Sequence, residues 1–93
     1  MIASFADKET EGIWQGIVSR RLPIAIQQRA RLKLRMLHAA LRLDDLRVPP
    51  ANRLEALVGN RKGKYSIRID DQWRLCFRWL DGQASNVEIV DCH

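Results

Sequence analysis

Residues 64–80 read KYSIRIDDQWRLCFRWL, and the alternation of apolar and polar side chains in this stretch decides the fold. The apolar members of the alternation are Tyr65, Ile67, Ile69, Trp73, Leu75, Phe77 and Trp79. A period of two is typical of strands that bury one face. The stretch therefore predicts an antiparallel hairpin that turns through residues 70–72 and pairs Ile69 with Trp73, so that large apolar residues share one face.

A further strand follows, with Val87 and Ile89 as its inward residues, and its register depends on the turn before it. A two-residue turn at 81–82 would put Phe77 opposite Asn86 and so mix the two faces of the sheet. A three-residue loop that begins one residue earlier restores the match, and we predict this loop. The predicted cross-strand pairs are Leu75 with Val87, Arg74 with Glu88, and Cys76 with Asn86.

The first half of the chain is predicted to be helical after a short strand at 1–5. Asp7 can cap a first helix, and Pro23 can open a second one at a position where its missing N–H costs nothing. The apolar residues of the first helix are Ile13, Trp14, Ile17 and Val18, and those of the second are Ile26, Ala30, Leu34, Leu37 and Leu41. Asp44 and Asp45 predict one further helical turn, which the prolines at 49–50 end.

A row of basic residues lies opposite the apolar stripe of the second helix at 100° per residue. It consists of Arg31, Arg35, His38 and Arg42. Such a row is either a solvated helix face or a contact for phosphate or a partner, and the pattern leaves both interpretations open.

The composition indicates one globular domain spanning residues 1–93 with an affinity for anions. Hydrophobic residues make up 46% and charged residues 29%, which is ordinary for a folded domain. The formal net charge of +5 favours phosphate polymers, acidic proteins or anionic lipid as partners. Because we find neither a membrane span nor a leader peptide, we expect a cytoplasmic protein. Two cysteines and two histidines are too few for a disulfide framework or a structural zinc site.

Three motifs carry a resemblance to a known family: G-N-R-K-G-K-Y-S-I-R at 59–68, Q-W-R at 72–74 and the ending D-C-H. Together with the two-helix first half, they resemble the HigB-type toxins of the RelE-like group. The resemblance implies an α+β fold with two N-terminal helices on one face of a small, mainly antiparallel sheet. It also implies a ribosome-dependent mRNA endonuclease that uses the RNA 2′-OH as nucleophile, without metal or cofactor. The implied partner is a HigA-like helix-turn-helix antitoxin, through which operator DNA would be contacted only indirectly.

The resemblance also implies roles for individual residues. Arg74 matches the catalytic arginine, whose guanidinium fork suits two phosphate oxygens. The alternative for Arg74 is a cross-strand ion pair with Glu88. His93 matches the general acid, and Asp91 and Glu55 are candidate proton acceptors that could equally form structural salt bridges. The residues expected to bind flanking phosphates, or merely to keep the surface soluble, are Arg61, Lys62, Lys64 and Arg68.

Two residues depart from the family pattern. Val58 stands where a lysine is usual, and Cys92 replaces a tyrosine before the last histidine. The chain is therefore either an active toxin or a weakened relative that acts mainly through antitoxin binding and autoregulation. A plain RNA-binding module is less favoured, because the aromatic residues of the strands fall on the core face. Membrane binding is disfavoured because no apolar helix face is left over.

Overall fold

The computed structural model describes residues 1–58 and 63–91. Its elements are helices α1 (Lys8–Trp14) and α2 (Ile24–Ala39), 3₁₀ turns at Leu43–Arg47 and Pro50–Asn52, and strands β1 (Glu55–Ala56), β2 (Lys64–Arg68), β3 (Trp73–Leu80) and β4 (Gln83–Asp91). The strands form one antiparallel sheet in the order β1-β2-β3-β4, and both helices pack on one face of it. The predicted α+β architecture is confirmed. None of the helices in the described ranges is long and apolar enough to cross a membrane.

The predicted strand at the N-terminus is reduced to two isolated parallel bridges, Ile2 with Ala84 and Phe5 with Val87. Asp7 caps α1 as predicted, and its carboxylate accepts a hydrogen bond from the backbone N–H of Thr10 at 2.7 Å. These contacts tie the start of the chain to the far edge of the sheet.

Helix α1 is shorter than predicted, because Gly16 ends it in the left-handed conformation with φ of 88°. The N–H of Ile17 donates to the carbonyl of Gly12, and the N–H of Gly16 to that of Ile13. This is the bonding pattern of a Schellman motif. The predicted apolar face is therefore wrong beyond Trp14, and Ile17 and Val18 are 60% and 68% exposed.

Helix α2 builds the core that the periodicity predicts. Its residues Ile26, Ala30, Leu34 and Leu37 are buried against the strand residues Ile67, Leu75, Phe77 and Val87. The prediction is wrong for Leu41, which is 81% exposed because the helix ends at Ala39. After that end, the Asp45 carboxylate accepts the backbone N–H groups of Leu41 and Arg42 at 2.9 and 3.0 Å. These two bonds lower the pKa of Asp45.

The first hairpin has the predicted register, since the N–H of Ile69 donates to the carbonyl of Trp73 at 2.9 Å. The predicted register of the second hairpin is wrong. Its turn has two residues, Asp81 and Gly82, both with positive φ, and a β-bulge lies further along the strands. The observed pairs are Leu75 with Ile89, Arg74 with Val90, and Cys76 with Glu88.

The bulge keeps the apolar residues of β3 and β4 on the same face of the sheet, as the predicted three-residue loop would also have done. Cys76 pairs with Glu88 and Arg78 with Ser85, so Phe77 is opposed by two residues instead of one. The inserted residue is Asn86, which adopts φ of 51° and lets Val87 return to the core face. An asparagine tolerates this conformation better than most residues.

Candidate functional site

The side of the sheet away from the helices carries Lys64, Ser66, Arg68, Arg74 and Arg78, and we call it the cationic face. Parts of this face are buried. Ser66 is 1% exposed, and the side chain of Arg74 is 14% exposed. Arg74 is therefore a fixed group within the fold and not a mobile surface arginine.

Three hydrogen bonds and one ion pair fix the Arg74 guanidinium, and the longest of these bonds runs from an Nη to the Ser66 carbonyl at 3.4 Å. Its Nε donates to the Ser66 hydroxyl at 2.8 Å, and one Nη donates to the backbone carbonyl of Arg53 at 2.7 Å. The same Nη lies 3.8 Å from the Glu55 carboxylate. The alternative that Arg74 pairs with Glu88 is wrong, because Val90 lies opposite Arg74. The bonds to these rigid acceptors involve Nε and one Nη and hold the guanidinium plane in place, so that the N–H groups of the other Nη are the donors that remain for a phosphate.

The two hydrogen-bond acceptors are positioned by the backbone around them. Ser66 lies diagonally across from Arg74 on the neighbouring strand β2, within reach of a long side chain. Arg53 follows the 3₁₀ turn at Pro50–Asn52 and adopts the left-handed conformation with φ of 45°. Strain of this kind in a non-glycine residue persists only where the surroundings enforce it, and here it accompanies a carbonyl that accepts a bond from Arg74.

Glu55 is brought to Arg74 by the short strand β1, where it lies opposite Ser66. Its side chain is 60% exposed, so the pair with Arg74 contributes little to stability. The carboxylate is therefore close to the guanidinium and still accessible to a ligand. Of the two predicted proton acceptors, Glu55 is the one that the fold places beside Arg74.

Asp91 lies elsewhere. It pairs with Trp73, whose side chain packs against the core, and successive strand residues point to opposite faces. Asp91 therefore belongs to the face opposite Arg74, and its carboxylate accepts a hydrogen bond from Gln72 at 3.0 Å. The structure does not bring Asp91 together with Arg74 and Glu55.

Like charges face each other twice across strands β2 and β3. Arg68 is directly opposite Arg74, and Lys64 is directly opposite Arg78. Directly opposed like charges destabilise a sheet by a few tenths to about 1 kcal/mol each. Four cations in two such pairs create a positive potential that an anion would relieve.

A pocket of about 200 Å³ opens beside these pairs, and it is lined by Arg53, Arg68, Asp70, Asp71 and Arg74. Arg68 bonds to both aspartates: its Nε donates to the Asp70 carbonyl at 3.1 Å, and an Nη to the Asp71 carboxylate. These contacts orient Arg68 toward the turn at 70–72. The pocket thus presents three arginines, two of them held in place by neighbouring groups.

Four predicted or noted residues lie outside the described part of the chain: Arg61, Lys62, Cys92 and His93. The roles given to Arg61, Lys62 and His93 therefore stay predictions. Among the residues that the structure describes, no group of three or more histidine, cysteine, aspartate or glutamate side chains is arranged to hold a metal ion.

Sequence reasoning missed the bonds that Ser66 and Arg53 make to Arg74, and it missed that Lys33 on α2 is buried, with 7% exposure. Ser66 and Arg53 both fall within the stretch that carries the resemblance, but nothing in their spacing indicates a bond to Arg74. Lys33 did leave a signal. With Ile26, Ala30 and Leu37 it follows the spacing of a buried helix seam, so a lysine there occupies a core position.

Comparisons with known proteins agree with this architecture. A family model described as "RelE-like toxin of type II toxin-antitoxin system HigB" matches residues 3–93. "Toxin HigB-1" of Vibrio cholerae serotype O1 is 45% identical over 87 residues, which is 92% of each chain. "Endoribonuclease HigB" of Proteus vulgaris is 27% identical over the full length of both chains.

Among solved structures, a single-residue variant of YafQ from E. coli superimposes with a TM-score of 0.65 and 13% identity. The match covers 98% of this chain and 93% of that one, and it supports a RelE-like fold. The family model covers nearly the whole chain, and the Vibrio cholerae relative is 45% identical over 92% of it. The chain belongs to the HigB-like family of RelE-like toxins of type II toxin–antitoxin systems.

Proposed function

We propose that this protein is an endoribonuclease that cuts mRNA on the ribosome and binds the scissile phosphate at Arg74. The observation that carries the proposal is the two cross-strand pairs of like charge in the register of β2 and β3, next to a guanidinium held by two short hydrogen bonds. A fold keeps such a repulsive arrangement at a cost, and a polyanion offsets that cost when it binds. The Proteus vulgaris relative named "Endoribonuclease HigB" supports the same activity.

The proposed reaction is attack of the RNA 2′-OH on the adjacent phosphorus. The 2′-oxygen–phosphorus bond forms as the phosphorus–5′-oxygen bond breaks, which leaves a 2′,3′-cyclic phosphate and a 5′-OH. Glu55 accepts the proton of the 2′-OH, and His93 gives a proton to the leaving 5′-oxygen. Arg74 stabilises the charge that builds on the non-bridging oxygens. Each step uses a group of the chain itself, so we propose that the reaction does not depend on a metal ion.

Glu55 is the better candidate base than Asp91, because it lies 3.8 Å from Arg74 and is exposed to a ligand. A phosphate bound at Arg74 would bring the 2′-OH of its adjacent ribose to the same side of the sheet as Glu55. The remaining cations have a supporting role in the proposal. Lys64 and Arg68 on the cationic face, with Arg61 and Lys62, bind the flanking phosphates.

A second candidate function is that of a weakened toxin, and Val58 favours it. Val58 is 86% exposed and supplies no charge where a lysine is usual in the family. A missing cationic donor at a reacting phosphate typically costs about 10²–10³ in rate. In that case the protein acts mainly through its antitoxin.

A type II toxin has an antitoxin partner. We propose that this partner is a HigA-like helix-turn-helix protein, through which the toxin reaches operator DNA, and that the pair works in the cytoplasm, where translating ribosomes present the mRNA.

The test is cleavage of a defined mRNA by the purified protein, with and without ribosomes, followed by analysis of the new ends. We expect cuts on ribosome-bound mRNA, cyclic phosphate ends, and the same rate in EDTA once ribosome integrity is maintained. A message with 2′-deoxyribose at the mapped cleavage position should resist cutting there. Cleavage that persists at the deoxy position, or 3′-OH ends, would refute the proposed mechanism.

A further inference from the structure

A second pocket lies on the other side of Arg68. It has a volume of about 260 Å³ and is lined by Arg29, Leu32, Lys33, Ala51, Arg68 and Ile69. Strand β1 pairs with β2 at Tyr65 and Ser66, and among the described residues no strand pairs with the later part of β2 on that side. Arg68 sits in this later part and lines both pockets. The two pockets are therefore adjacent, and both draw on the same arginine.

Lys33 is the unusual residue in this second pocket, because it is only 7% exposed. Its ammonium donates to the side-chain oxygen of Asn52 at 2.5 Å. Asn52 is fully buried, and its Nδ2 donates to the carbonyls of Leu46 and Val48, which fixes the orientation of the amide. The lysine is thus held by a rigid neutral acceptor, and not by a carboxylate.

The charges around Lys33 are uncompensated. Neither Lys33 nor Arg29 forms an ion pair with a carboxylate within residues 1–58 and 63–91. Arg68 forms its ion pair with Asp71, which lines the other pocket. Burial, then Arg29 and then Arg68, lower the pKa of Lys33. Buried charges are normally paired with an opposite charge, whereas the buried Lys33 is held by a neutral amide and lies beside Arg29 and Arg68.

We infer that Arg29, Lys33 and Arg68 form a second phosphate-binding subsite, which takes a backbone phosphate of RNA next to the one bound at Arg74. This inference rests on the proposed function and extends its binding site from the sheet onto helix α2. The shared Arg68 makes the two pockets a continuous track, as a polymer of phosphates requires. An ammonium suits this position because it binds phosphate oxygens from any direction, whereas Asn52 keeps it from turning away.

The test removes one charge of the subsite without disturbing the core. Arg29 is exposed on α2, so Arg29→Gln should leave the melting temperature unchanged. Arg35→Gln is the matched control, since it removes the same charge from another exposed position of the same helix but does not line this pocket. Lys33→Met is a second variant, to be used only if circular dichroism shows that it is folded.

Binding is measured with a 2′-O-methylated single-stranded RNA, which cannot be cut, and cleavage is measured on ribosome-bound mRNA. We expect Arg29→Gln to weaken binding about tenfold relative to Arg35→Gln, as loss of one charge-assisted contact predicts. The slope of log affinity against log salt should also fall by about 0.7. If only the ribosome-bound reaction suffers, the phosphate belongs to ribosomal RNA, and the subsite stands with that source.

Two results would overturn the subsite while leaving the proposed function intact. One is a native protein that cuts mRNA while Arg29→Gln and Arg35→Gln behave alike in both assays. The other is an Arg29→Gln variant that loses affinity only for the antitoxin, which would assign the pocket to an acidic protein segment. If the native protein does not cut mRNA at all, the proposed function fails instead.

Discussion

Replacing Arg74 with alanine should cost this protein both stability and activity, although a surface arginine would cost only activity. The side chain is 14% exposed and donates two short hydrogen bonds, to the Ser66 hydroxyl and to the Arg53 carbonyl. The substitution leaves Ser66, itself 1% exposed, without that donor. A buried polar group that loses its partner carries the full cost of its desolvation.

The size of the loss follows from these contacts. A hydrogen bond from a charged group contributes about 1.5–3 kcal/mol, so two contribute about 3–6 kcal/mol. Removal of the repulsion between Arg74 and Arg68 offsets about 1 kcal/mol of this destabilisation. The net destabilisation is then at least about 2 kcal/mol, which for a chain of 93 residues lowers the melting temperature by about 10 °C.

Thermal unfolding followed by circular dichroism measures this loss. Arg78→Ala is the control, because Arg78 lies on the same strand and face but is exposed. Its effect should stay within about 0.5 kcal/mol. If Arg74→Ala had the same melting temperature as the native protein, the hydrogen bonds assigned to Arg74 would be incorrect. Toxicity of the alanine variant must be measured below its own melting temperature, so that lost activity is not confused with unfolding.

Three further predictions concern other parts of the chain. Gly16→Ala should destabilise the protein by about 1 kcal/mol, because Gly16 has φ of 88°. Gly12→Ala, within the helix, should stabilise it by about 0.5–1 kcal/mol. If both substitutions shifted the melting temperature in the same direction, the assigned helix end would be wrong. Asp45→Ala should lower the melting temperature at neutral pH. Since the folded pKa of Asp45 lies below its ordinary 3.8, that stabilisation is present above pH 3.8 and disappears as the pH falls through the folded value; a gap between variant and native protein that persists in strong acid would count against it. Val58→Lys should raise cleavage of ribosome-bound mRNA by up to about 10², and equal single-turnover rates would show that Val58 is no handicap.

The sequence was sufficient for the parts of the fold that depend on periodicity. The buried positions of α2 up to Leu37 and the first hairpin follow from spacings of 3.6 and two residues, and both are confirmed, whereas Leu41 lies beyond the end of the helix. The second hairpin shows where that reasoning ends. Matching of faces was the correct constraint, but a longer loop and a bulge both satisfy it, and only the Asp81-Gly82 pair hinted at the two-residue turn.

The candidate site, like the fold, was predictable from the sequence only in part. Motif resemblance singled out Arg74 and Glu55, which the fold brings within 3.8 Å of each other. Spacing along the chain did not reveal that Arg74 is mostly buried, because its partner Arg53 comes from a separate 3₁₀ turn. The position of Asp91 depends on the register of β4, which the bulge shifts. The pattern of residues along one sequence does not show which elements distant in the chain come into contact.

Arg74 is proposed to stabilise the reacting phosphate, and the substitution Arg74→Lys tests this role most directly. Lysine keeps the positive charge but cannot make the Ser66 and Arg53 bonds and still direct a planar guanidinium group at the phosphate. The measurement is the single-turnover rate of cleavage of a ribosome-bound message at saturating protein, with folding verified at the assay temperature. A fall of about 10²–10³ in that rate relative to the native protein is predicted. A lysine variant that is folded and cuts within a few-fold of the native rate would contradict the account.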